Sequence, residues 1–433
     1  MKRREFIKGL SLSIAAPMFT GVLASCTKPG SLLVEPVLQD GQTILFIGDS
    51  ITYAAGYIDF IQTFLIARYP EKKFKIYGMG LSSETVEGLT EPGHPYPRPN
   101  IHDRLQRILD RTQPDIVVAC YGMNDGIYHP LAEERFTPFK AGINKLIERI
   151  TGMGAKLYLL TPPPFDPVPA ANRIVGPDAD RFGFDATFQD YDNVLLAYGQ
   201  WIMQLSAPGL TTVDIHKPML DFLQANRKTN PDYYLARDGV HPGAVGHWIM
   251  AQTLLKAWGE QPLEQSADIR IKSKTIKGDV ENADFSGGDV AFDWHLNVPV
   301  ALQSEEMRQV SGLVTHMVWP LLRVEQSGVN GYKCYANESM FQSFKREALA
   351  EGIDLTGYPS FGLTRRAVKL MNLVRQRRNL YDHALLNDIG HTLPQKEKPL
   401  SLAEAEAQLP EIDQAIYNLS RPEVVKMRLV PYI

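Results

Sequence analysis

The chain has 433 residues, 44% of them hydrophobic and 22% charged, with 33 Gly and 30 Pro spread along it. That is longer than a typical single domain, and the composition excludes a disordered or fibrous state. Lys and Arg number 45 against 49 Asp and Glu, a net charge of −4, too balanced for the basic field that nucleic-acid binding requires, so no nucleic-acid partner is expected.

At the start of the chain, Lys2, Arg3, Arg4 and Lys8 precede an apolar stretch from Leu10 to Leu23, the charged and apolar regions of an export signal. Ser11, Ser13, Pro17, Thr20 and Gly21 interrupt that stretch, and it is shorter than the about 20 apolar residues of a spanning helix, so no transmembrane anchor is expected. We read residues 1–25 as an export signal peptide and 26–40 as a tether. Leu23-Ala24-Ser25-Cys26 resembles the lipobox of bacterial lipoproteins. The resemblance implies cleavage before Cys26, a lipid on its sulfur as the only membrane contact, and a periplasmic or cell-surface location. Arg3-Arg4-Glu5-Phe6-Ile7-Lys8 is similar to a twin-arginine export motif, and the twin-arginine and general export routes both stay open. Of the other cysteines, Cys120 lies in an apolar run and reads as a buried thiol; a disulfide to Cys334 stays open.

From Thr43 to about Gly259, short apolar runs alternate with longer amphipathic ones. Thr43 to Ile47, Phe74 to Tyr77, Asp115 to Tyr121, Lys156 to Thr161 and Thr211 to Ile215 read as strands. Phe136, Phe139, Ile143, Leu146 and Ile150 recur at helical spacing, as do Trp248, Ala251, Leu255 and Trp258. Such alternation predicts an α/β fold, a three-layer α/β/α sandwich around a mostly parallel sheet, with its chemistry at the carboxyl ends of the strands.

After Gly259 the texture changes. Runs such as Asp289 to Trp294 and Val314 to Val324, separated by Gly-Gly and Ser-Gly turns, predict a small β-rich unit. Leu363 to Leu380 and Leu402 to Leu419 then read as amphipathic helices. The first carries Arg365, Arg366, Lys369, Arg375, Arg377 and Arg378, a cluster most simply explained as a solvated face. The expected division is 41–265 for the α/β domain and 266–433 for an accessory region.

Three blocks carry chemistry. Gly48-Asp49-Ser50 ends the first strand and places a hydroxyl at the sheet's carboxyl edge, with the next helix expected near Tyr57. A serine needs a base, normally a histidine steadied by a carboxylate. Asp238-Gly239-Val240-His241-Pro242 offers both on one loop, whereas His216 and His247 lack a carboxylate at comparable spacing followed by proline. Gly122-Met123-Asn124-Asp125 follows the third strand and supplies in Asn124 a neutral amide able to donate to developing negative charge.

In order and position these blocks resemble the SGNH, or GDSL, hydrolases over roughly Thr43 to Trp258, a family of flavodoxin-like architecture. The resemblance implies Ser50 as nucleophile, Asp238 and His241 as its acid and base partners, and Ser50 N–H and Asn124 as oxyanion donors. Relatives usually carry an oxyanion glycine in a further block, which here reads Leu81-Ser82-Ser83-Glu84-Thr85 and puts Ser83 in that place. Tyr53, His94, Arg98 and Tyr128 are expected to line the substrate pocket. No phosphate loop, zinc spacing or dinucleotide fingerprint accompanies these blocks, so neither cofactor nor metal is expected. The expected reaction is hydrolysis of an O-acetyl or short acyl ester on an extracytoplasmic carbohydrate. A lipid ester hydrolase and a non-catalytic carbohydrate-binding protein are the alternatives.

Overall fold

The computed structural model describes residues 37–260, 263–302, 304–310, 318–325, 327–389 and 400–432. The export segment, Cys26 and most of the tether lie outside the described residues. From Val37 onward the chain forms one compact unit.

Its first half is built on a five-stranded sheet. The strands are β1 (Thr43–Gly48), β2 (Lys75–Gly80), β3 (Ile116–Cys120), β4 (Lys156–Leu160) and β5 (Leu210–Val213). They lie in the order β2-β1-β3-β4-β5, and every pairing is parallel. Each residue of β1 and β3 is buried, because helices cover both faces of such a sheet and leave no polar side. A short helix α1 (Ser50–Ala54) is followed by α2 (Gly56–Arg68), α3 (Leu105–Thr112), α4 (Glu133–Gly152), α5 (Tyr191–Ile202), α6 (His216–Arg227) and α7 (Ala244–Ala257). The stripe Phe139, Ile143, Leu146 and Ile150 on α4 is fully buried, as are Trp248, Ala251 and Leu255 on α7. The expected three-layer α/β/α sandwich is present.

Local boundaries differ for identifiable reasons. Strand β2 runs on to Gly80 instead of ending at Tyr77, and its glycines permit close approach. A Cβ on Gly80 would stand 2.2 Å from the Tyr53 nitrogen, and one on Gly78 would stand 2.7 Å from Asp382 Oδ2. Strand β5 ends at Val213, because Thr161 Oγ1 accepts from the N–H groups of Ile215 and His216 and turns the chain into α6. Helix α2 begins at Gly56, beside the expected Tyr57, but the short helix α1 precedes it: Asp49 accepts from Ile51 N–H at 2.9 Å and caps α1. Ala55, at φ 57, then breaks the helix before α2.

The C-terminal part is β-rich and helical. It contains a five-stranded antiparallel sheet and a four-stranded mixed one. Val290–Leu296 and Val318–Glu325 are strands where such runs were expected, and residues 314–317 lie outside the described ones. Two helices follow, α8 (Gly362–Asp388) and α9 (Leu402–Ser420). Cys120 and Cys334 are both free, buried thiols.

The Arg-rich surface of α8 corrects the expectation of a solvated face. Arg378 is buried and its Nε lies 2.6 Å from Asp59 Oδ1 on α2, while Arg375 reaches the same carboxylate at 3.1 Å. Arg377 pairs with Asp413 on α9 at 2.5 Å, and Arg366 with Glu423 at 2.7 Å. These four cations serve as tertiary pairs because α8 packs against α2, α9 and the chain that follows α9, while Arg365 and Lys369 stay exposed. Asp382 Oδ2 also accepts the N–H of Gly78 at 2.9 Å, satisfying a donor that edge strand β2 would otherwise leave open. Burial pushes the Asp382 carboxyl up to about 7.

Candidate active site

The carboxyl ends of β1, β2 and β3 and the loop before α7 meet at one edge of the sheet. Ser50 Oγ lies 2.8 Å from His241 Nε2, across 191 residues of sequence. His241 Nδ1 lies 2.6 Å from Asp238 Oδ2. The other carboxylate oxygen, Oδ1, accepts the N–H groups of Val240 at 3.0 Å and His241 at 2.8 Å. With Nδ1 donating to the carboxylate, Nε2 is left as the acceptor that faces the serine hydroxyl.

Electrostatics follow from this geometry. Partial burial works to raise the Asp238 carboxyl, but the bonds from His241 and the two backbone N–H groups outweigh it and hold Asp238 well below the usual carboxylate range. Burial pulls the His241 imidazolium down, and the hydrogen bond and charge of Asp238 reverse that, for a net rise above the ordinary imidazole value. Beneath them Asp49 is buried, and desolvation pushes its carboxyl up to about 7. His216 and His247 are not part of this line. His216 Nδ1 contacts Pro162 O at 3.2 Å, and His247 stacks on Tyr57 with its ring buried and its pKa lowered to about 4.

Asn124 is buried beside this line with its amide held in one orientation. Its Oδ1 accepts from the Tyr128 hydroxyl at 3.1 Å, and its Nδ2 donates to Glu84 O at 3.3 Å. The following residue, Asp125, accepts the N–H groups of Val86 at 2.8 Å and Gly122 at 2.7 Å and so pins the turn. Ser83 adopts φ 64, left-handed backbone that costs a non-glycine residue about 1–2 kcal/mol. That conformation gives the physical reason for a glycine at the corresponding place in relatives.

A group that sequence reading missed supports this corner. Arg104 and Glu84 are fully buried and joined by two contacts of 2.6 Å, from Nε and Nη2 to the two carboxylate oxygens. Tyr121 OH donates to the same carboxylate at 2.8 Å, and Arg104 Nη2 also reaches Met79 O at 2.7 Å. Burial raises the Glu84 carboxyl, while the guanidinium and the tyrosine hydroxyl oppose that rise. The backbone carbonyl that orients Asn124 therefore belongs to a residue anchored by three donors. A buried-pair spacing of 20 residues leaves no local pattern in the sequence.

The cavity here measures about 510 Å³ and includes Ser50, Ser83, Asn124 and His241 in its lining. Of the expected wall residues, His94, Arg98 and Tyr128 line it, as does Tyr96 of the same Pro-rich loop 91–99, joined by Phe184 and Asp185, which sequence reading did not single out. The Arg98 guanidinium is committed to Glu91 by two bonds of 2.6 Å. Tyr53 is absent from the lining: its ring stacks on His383 of α8 at 5.3 Å, because α8 covers that side of α1.

Fold and site together define an ester hydrolase of the SGNH type. Residues 46–249, the α/β part of the chain, match the family described as GDSL-like lipase/acylhydrolase. An acetylxylan esterase from Geobacillus stearothermophilus is 24% identical over 245 residues, covering 51% of this chain and 96% of that protein. A solved structure of a gut microbial diltiazem-metabolizing enzyme is similar over 91% of this chain and 98% of its own, with a TM-score of 0.73 and 19% identity. The architecture of that protein therefore includes a counterpart to most of the C-terminal part described above.

Proposed function

We propose that the protein removes short acyl groups, acetyl foremost, from an extracytoplasmic carbohydrate through an acyl-enzyme on Ser50. His241 Nε2 takes the hydroxyl proton as Ser50 Oγ attacks the ester carbonyl, and Asp238 stabilises the resulting imidazolium. Ser50 N–H, Ser83 N–H and Asn124 Nδ2 hold the tetrahedral oxyanion. His241 returns the proton to the departing alcohol, and a water activated by the same imidazole then releases the acid. The observation that carries this reading is the continuous line of hydrogen bonds from Ser50 through His241 to Asp238, at 2.8 and 2.6 Å.

For the substrate, support comes from the similarity to an acetylxylan esterase and from the aromatic rings of Tyr96, Tyr128 and Phe184 in the cavity lining, which suit the C–H faces of a sugar. Acetate release from acetylated xylo-oligosaccharides is the test, with long-chain acyl esters as the comparison. Preference for the long-chain esters would overturn the carbohydrate assignment. Asn124→Ala is expected to lower kcat on the same substrates by roughly a hundredfold or more, the loss typical for one oxyanion donor, with the native fold retained. Unchanged turnover would remove Asn124 from the mechanism.

The location belongs to the same proposal: export, then tethering to a bacterial membrane by a lipid on Cys26. Intact mass of the mature wild-type protein is expected to show cleavage before Cys26 and a lipid adduct that Cys26→Ser lacks. An unmodified wild-type mass would end this part of the reading.

A further inference from the structure

The segment between β4 and α5 sends one guanidinium into the loop that carries Asp238 and His241. Arg173 closes a single helical turn, Ala171–Arg173. Its Nη2 donates to the backbone carbonyl of Asp238 at 2.5 Å. Its Nη1 donates to Thr187 Oγ1 at 2.5 Å and to the carbonyl of Phe184. The flat face of the same group lies 4.1 Å from the Phe184 ring centroid and 5.6 Å from that of Phe165. Phe184 meets Tyr128 edge-on at 5.7 Å, and both rings line the cavity. Among the described residues no carboxylate forms an ion pair with Arg173, although the charges of Asp238 and Asp185 act on it, while burial lowers its pKa.

We propose that Arg173 is a positioning residue for the esterase: its planar fork fixes the backbone of Asp238, and with it the carboxylate that orients His241, while the same fork holds Phe184 in the cavity wall. The proposal rests on the Ser50–His241–Asp238 reading above and adds to it a tie between the acid–base loop and the surface facing the substrate. Arginine suits this task because its donors are rigidly splayed and its face stacks on aromatic rings, whereas lysine offers a point charge on a flexible stem.

The charge has a consequence of its own. Asp238 and Asp49 favour the protonated form of His241, and Arg173 opposes them. His247, whose pKa is about 4, is neutral in the working range and adds no charge. Removing the guanidinium therefore lets His241 keep its proton to higher pH.

The test is kcat and KM on an activated acetate across pH, in the full chain, for wild type, Arg173→Gln and Arg173→Lys, with unfolding midpoints measured alongside. Arg173→Gln is expected to lose on the order of ten- to a hundredfold in kcat, as misplaced catalytic groups do, and to shift the ascending limb of its pH profile upward. Arg173→Lys, which keeps the charge without the fork, is expected to leave that limb near its wild-type position with kcat still depressed. It also serves as the readout should Arg173→Gln fail to fold. A lowered midpoint with no movement of the limb in Arg173→Gln would reduce Arg173 to a structural role, and wild-type kcat in either variant would overturn the proposal. Failure of the underlying triad reading shows up separately, as turnover that survives Ser50→Ala.

Discussion

Ser50→Ala is expected to cut turnover of an activated acetate by at least about ten-thousandfold while leaving the fold unchanged. Loss of a nucleophile that acts as a unit with its base costs about as much as loss of the whole set, and what remains comes from binding and the oxyanion donors. Ser50 Oγ has one partner of consequence, His241 Nε2 at 2.8 Å, so removing the hydroxyl leaves no buried group stranded and the unfolding midpoint should hold. The wild-type rate should rise with pH through a pKa above the ordinary imidazole value, because the bond and charge of Asp238 more than offset the burial of His241. Below that pKa His241 is protonated and cannot accept the serine proton; above it the base is available. Single-turnover acyl transfer and intact mass after brief mixing with substrate provide the measurements. Ser50→Ala at wild-type rates would dismiss the acyl-enzyme.

The second large effect concerns stability. Arg104→Met is expected to destabilise the protein by about 3–5 kcal/mol, the cost of leaving one member of a buried ion pair uncompensated. Glu84 would remain fully buried with Tyr121 OH as its surviving side-chain donor, and its carboxyl would be driven toward the neutral form. Because Glu84 O accepts from Asn124 Nδ2 at 3.3 Å, the folded fraction should also turn over more slowly than wild type. The double variant Arg104→Met with Glu84→Met is expected to recover much of the stability, since an apolar pair of similar volume avoids the desolvation of two charges. Denaturant unfolding followed by tryptophan fluorescence measures both. An Arg104→Met midpoint equal to that of wild type would show that the pair carries no weight.

The parts of the fold legible in the sequence are those governed by local pattern. β1 and β3 stand out as apolar runs because each of their residues is buried, and α4 stands out because one stripe of it faces the sheet. β2 was misplaced by three residues at its end. Gly78 and Gly80 read as breakers in isolation, yet they are required where α8 and α1 press against the strand. The cations of α8 misled in the opposite sense: six charges on one helix suggest solvent, and only the packing of α2 and α9 against it turns Arg378, Arg375 and Arg377 into paired groups.

The same division runs through the site. The sequence by itself determined the chemical groups and the strand ends that carry them, because Gly-Asp-Ser after β1, Asn124 after β3 and the three-residue step from Asp238 to His241 are short-range patterns. Tertiary structure alone decided what orients them: Arg104 against Glu84, Arg173 against Asp238, and Phe184 rather than Tyr53 in the cavity wall. The physical reason is that a hydrogen bond or an ion pair between residues far apart along the chain leaves no periodicity behind. It comes into being only when burial brings the two groups together and removes the water that would otherwise satisfy each of them.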